Sequence, residues 1–72
     1  MNLSIRKAVC NNLSSESTNE LIKTINESVG EKDEAVLPGL GVMFEVLWTN
    51  CDNEEKLTLA NTISKNMNQY NK

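Results

Sequence analysis

The chain predicts an all-α fold, a small bundle of about four short helices around a central apolar helix near residues 38–51, on three observations. Apolar residues recur at spacings of three and four, no alternating run is long enough for a strand, and small polar clusters divide the chain into four segments. Two of the divisions carry helix-start signatures. The third segment contains the stretch LPGLGVMFEVLW, Leu37 to Trp48, which holds the only proline, two of the three glycines, the only phenylalanine and the only tryptophan.

The first helix is expected from Asn2 to Leu13, with Ile5, Val9 and Leu13 at helical spacing, Ala8 beside them, and Asn2 or Ser4 as the cap. The polar run SSES then breaks the chain. Ser17 followed three residues later by Glu20 is the reciprocal pattern of a capping box, so a second helix starts there, with Leu21, Ile22, Ile25 and Val29 as its apolar face. Gly30 is expected to end it in the left-handed conformation. The charged EKDE that follows fits a loop or an extra helical turn, and a solvated linker is the expected reading.

Pro38 suits the first position of the third helix, where a missing N–H is harmless, and should push Leu37 out of helical geometry. At about 100° per residue, Leu40, Met43, Phe44, Leu47, Trp48 and Cys51 form one stripe, and Val42 and Val46 widen the apolar arc beyond half the circumference. Only Gly41, Glu45 and Thr49 are left as an outward strip. Such a helix is expected either to be wrapped by the other three or to meet another chain, which makes a homodimer through Leu40 to Trp48 a live possibility. Gly39 and Gly41 are expected to permit close approach of a neighbouring helix or of the incoming loop. The fourth helix starts at Asp52, three residues before Glu55, and carries Leu59 or Ala60, Ile63, Met67 and Tyr70 on one face before fraying in NQYNK.

Seventy-two residues make one domain at most, with a thin stability margin, because so short a chain hides only about 60% of the surface its unfolded form exposes. Leu, Ile, Val and Phe make up 18 of the 72 residues, enough to place the chain among folding sequences. Its net charge of −3, with the seven Lys and Arg residues scattered, argues against the basic footprint of a non-specific nucleic-acid binder. Cys10 and Cys51 form no C-x-x-C and have no histidine to help them, which speaks against zinc and thioredoxin-like redox chemistry. Both are expected as buried thiols in a reducing compartment. Without an apolar run of signal-peptide type or a membrane span, the protein is expected to stay inside the cell that makes it.

Catalytic constellations fare poorly in the sequence. GLG has Phe44 where a dinucleotide fingerprint needs its third glycine, no G-K-S/T follows, and no Lys or Arg lies nearby to favour an anion cradle. The pairs Asp33 with Glu34 and Glu54 with Glu55 sit in hydrophilic turns or first helical turns, and DNEEKL places Leu57 where a calcium loop needs glycine. Ser and Thr nucleophiles have no histidine base. No catalytic residue, cofactor site or metal site is expected, and Pro38, Gly39, Leu40, Gly41, Met43, Phe44, Leu47 and Trp48 are read as structural core or interface.

LPGLGVMFEVLW, together with the opening MNLSIRKAV and the overall length, resembles the small, acid-soluble spore protein I family of spore-forming Firmicutes. The resemblance covers almost the whole chain; between Asn11 and Glu34 and after Thr58 only polar character and helical spacing match. It implies a small protein made in the developing forespore during sporulation and deposited in the spore core, without catalytic activity. The glycine-glycine helix start and protease recognition segment of the DNA-coating α/β-type spore proteins are not present, so DNA coating is not carried over. Two functions follow as expectations: a structural or interaction protein of the spore core, with its partner unidentified, and, as the alternative, weak DNA binding through Arg6, Lys7 and Lys23.

Overall fold

A computed structural model describes residues 4–70, the side chain of Tyr70 excepted. Four α-helices follow one another: α1 (Ile5–Leu13), α2 (Thr18–Glu31), α3 (Leu37–Thr49) and α4 (Asn53–Tyr70), with a short 3-10 turn at Glu34–Val36 leading into α3. No strand occurs among the described residues. The fold is the small all-α bundle that the sequence predicts.

Side chains set the helix starts. Ser4 caps α1 by accepting from the Lys7 N–H at 3.1 Å; Asn2, the other candidate, lies outside the described residues. Ser17 and Glu20 close the expected capping box, with the Ser17 N–H donating to Glu20 Oε1 at 2.8 Å and the Glu20 N–H donating to Ser17 Oγ at 3.2 Å. Asp52 and Glu55 repeat it at α4, at 2.9 and 2.8 Å. Each box satisfies two backbone donors that the first helical turn leaves free.

Two boundary expectations are corrected. Gly30 does not end α2: the helix runs on through Glu31, and Lys32 takes the left-handed position at φ 57°. Asp33 begins the next turn, accepting from the Ala35 N–H at 2.9 Å, so the reversal falls where that cap needs it, two residues past the glycine. Leu37 is not expelled from helical geometry by Pro38, since its φ −60° and ψ −41° are right-handed helical. Its N–H donates to the Glu34 carbonyl, and this bond closes the 3-10 turn directly onto α3, outweighing the bias that proline imposes on its predecessor.

The helices meet unevenly. α1 crosses α3, and the 3-10 turn contacts both α2 and α3. Val42, at 8% exposure, is the only buried apolar side chain among the described residues. Around it, Val9, Leu13, Leu21, Ile25, Val36, Leu40, Met43 and Trp48 are half-buried. The expectation that Gly39 and Gly41 permit close approach is overturned, because a Cβ built on either would find nothing within 4 Å. Cys10 is likewise exposed rather than buried, while Cys51 is half-buried, and both thiols are free.

Candidate functional site

The candidate site is the apolar surface of α3, and its position follows from how α1 lands. Val42, which the sequence only credits with widening the apolar arc, is the residue the fold covers, and the strip expected to point outward receives α1. Ser4, Ile5 and Arg6 gather beside Pro38, Gly41, Val42 and Glu45. The Arg6 guanidinium there makes a two-pronged ion pair with Glu45, Nε to Oε1 at 2.5 Å and Nη2 to Oε2 at 3.0 Å. Hydrogen bonding from Arg6 holds the Glu45 carboxyl below its usual range, and the same bond raises the Arg6 value. In the sequence Glu45 stands out only as the single charged residue of α3, on the strip its apolar arc leaves over; its partner 39 residues away is not legible there.

With α1 on that flank, the other side of the arc lies open. Leu21 and Ile25 of α2 and Val9, Cys10 and Leu13 of α1 face Leu40, Met43, Phe44 and Leu47 of α3 across a groove of about 670 Å³. No charged residue lines it. Phe44 remains 42% exposed and Leu47 46% exposed, large values for side chains read as core. The rings of Phe44 and Trp48, one helical turn apart, stack tilted at 31° with centroids 5.6 Å apart.

At the far end α3 is closed by its own side chains. Thr49 Oγ1 donates to the Glu45 and Val46 carbonyls at 3.0 and 3.2 Å, and Asn50 Nδ2 donates to Val46 at 2.7 Å. The Asn50 and Cys51 N–H groups reach back to Leu47 and Trp48, the latter at 3.2 Å, and Lys56 Nζ lies 5.7 Å from the Trp48 ring centroid. These contacts fix where α4 departs. Beyond Leu59, which is half-buried near Leu47 and Cys51, the apolar face of α4 has little cover: Ile63 is 40% and Met67 60% exposed.

The predicted site residues thus divide. Leu40, Met43, Phe44 and Leu47 line the groove; Pro38 and Gly41 lie on the α1 flank; Gly39 stands half-buried where α1, α2 and the 3-10 turn converge; Trp48 is half-buried under Lys56. Among the cations named for DNA contact, Lys7 and Lys23 are exposed, but Arg6 is engaged with Glu45. Burial, followed by the charges of Glu55 and Asp52, pushes the Cys51 thiol up, away from the thiolate a nucleophile needs. Among the described residues no group of three or more His, Cys, Asp and Glu is placed to hold a metal ion, and no helix is long and apolar enough to cross a membrane.

Comparison with known proteins places the sequence in a family. Residues 3–67 match the family model described as small, acid-soluble spore protein I. Two proteins of that name, from Halalkalibacterium halodurans and Bacillus mycoides, are 37% and 39% identical over 67 residues, covering 93% of this chain and 98% and 97% of theirs. A Bacillus cereus protein of the same name is also 39% identical over 67 residues, 93% of this chain and 97% of its own. No solved structure matches the chain. With both the model match and the relatives spanning nearly its full length, the chain belongs to the small, acid-soluble spore protein I family.

Proposed function

We propose that the protein is a non-enzymatic structural or interaction protein of the spore core, made in the forespore and acting as a single folding unit through the apolar surface of α3. The observation that carries the reading is the open groove: Phe44 and Leu47 stay roughly half exposed beside an uncharged lining, an arrangement that favours a macromolecular surface over a reaction. Membership of a spore-protein family supplies the setting.

The test is made in a spore-forming relative with this gene in place of its own. A chromosomal Phe44→Ser variant, with protein level checked in purified spores, is expected to reproduce whatever defect in sporulation, germination or outgrowth a deletion gives. A variant indistinguishable from wild type, beside a deletion with a clear defect, would overturn the reading. DNA binding finds less support, because Arg6 is already neutralised by Glu45 and the remaining cations are dispersed.

A further inference from the structure

The accessible surface of the chain is 6339 Å², whereas a compact folded monomer of its 8.0 kDa should expose about 4,450 Å², leaving an excess of roughly 1,900 Å². Its radius of gyration tells the same story, at 13.7 Å against about 11 Å for a compact chain of 72 residues. The principal extents of 35, 31 and 30 Å are nearly equal, so the excess is not that of a chain drawn out along one axis. A standard stable interface removes about 800 Å² from each partner. Less than half of the excess would meet that requirement.

The same chain carries both halves of a fit. One half is the uncharged groove between α2 and α3, walled by Leu21, Ile25, Leu40, Met43, Phe44 and Leu47. The other is the face of α4 that starts at Leu59, half-buried near its own Leu47 and Cys51, and runs on uncovered through Ile63 and Met67, at i+4 and i+8. At 1.5 Å per residue that face is about 12 Å long, and the Leu40 to Leu47 wall about 10 Å. A chain's own α4 is held away from its own groove by the Asp52–Glu55 capping box, the Cys51 N–H bond to Trp48 and the Lys56 contact with that ring.

Resting on the proposed role of the α3 surface, we infer that the occupant of the groove is α4 of a second copy, exchanged reciprocally in a two-fold dimer. Each groove receives the partner's helix and each helix leaves its own chain, so the contact closes on itself and goes no further. The arrangement differs from a simple seam of α3 against α3, since it needs α4 as much as α3.

Solution mass by sedimentation equilibrium, across a hundredfold range of full-chain concentration, gives the first readout. Wild type is expected to weigh as a dimer. An Ile63→Asp, Met67→Asp double variant is expected to raise the dissociation constant at least tenfold, with its helical circular dichroism monitored in parallel. Because acidic variants could fail to fold for other reasons, a second measurement uses thiol pairing. Chains carrying Cys51→Ser, which retain Cys10 in the groove, are mixed with tagged chains carrying Cys10→Ser, Cys51→Ser and either Ile63→Cys or Met67→Cys, under a glutathione redox buffer. A disulfide between tagged and untagged chains is expected for at least one of the two positions. A monomer throughout the range would overturn the dimer, and a dimer without either mixed disulfide would overturn the exchange of α4. Neither result touches the spore test of Phe44→Ser, so failure here is separable from failure of the proposed function.

Discussion

Arg6 finds the one carboxylate of α3, on the strip that its apolar arc leaves over, and the pairing carries a pH signature. Glu45 titrates below its ordinary value of 4.5 when folded, so the unfolded chain binds more protons between the two values and stability rises with pH there. The contribution is therefore complete above the ordinary carboxylate range and is lost as the pH falls through the lowered folded value. Glu45→Gln is expected to melt below wild type at neutral pH, with the gap closing on acidification and narrowing in high salt, because the partners are exposed. Scanning calorimetry at several pH values checks it. The thiols give a second residue-scale outcome: in the dissociated protomer, at low protein concentration, exposed Cys10 should react with iodoacetamide faster than half-buried Cys51, whose thiolate is suppressed, and mass spectrometry of a timed reaction reads the order directly.

The helix starts were legible because capping is local chemistry: Ser17 with Glu20 and Asp52 with Glu55 lie three residues apart, and nothing distant is needed to form either box. Ser17→Ala is accordingly expected to destabilise the protein by about 1 kcal/mol in chemical denaturation. The end of α2 was not legible, because Gly30 permits a left-handed turn without requiring one, and the Asp33 cap set the reversal at Lys32. That displacement makes opposite substitutions stabilising. Gly30→Ala adds a Cβ into open space inside a helix, for about 0.5–1 kcal/mol. Lys32→Gly removes the left-handed penalty at φ 57°, for a gain of about 1 kcal/mol, and the midpoint of denaturation should rise in each. Covering α3 was a problem of another kind. Periodicity announces a wide apolar arc, but which of its flanks receives α1 depends on Arg6 meeting Glu45 across 39 residues, a contact no window of sequence contains.

For the molecule as a whole, the helical class followed from spacing alone, whereas the depth of burial did not, since hydrophobic patterning specifies which faces want cover and not whether one chain has enough helices to supply it. Ile63 and Met67 illustrate the gap: they fall on the expected face of α4, yet that face meets little of its own chain. DNA binding is a whole-molecule question too, because it depends on summed charge. With a net charge of −3 and Arg6 engaged, an electrophoretic mobility assay at low salt is expected to leave a short duplex unshifted at micromolar protein. A retarded band that vanishes with added salt would revive the alternative. Val42, the lone buried side chain among the described residues, carries a last consequence. Unfolding an isolated protomer would wet little new hydrocarbon, so its heat-capacity increment and denaturant slope should both be small and its melt broad. A steep, concentration-dependent transition would have to draw its sharpness from surface that two chains hide together.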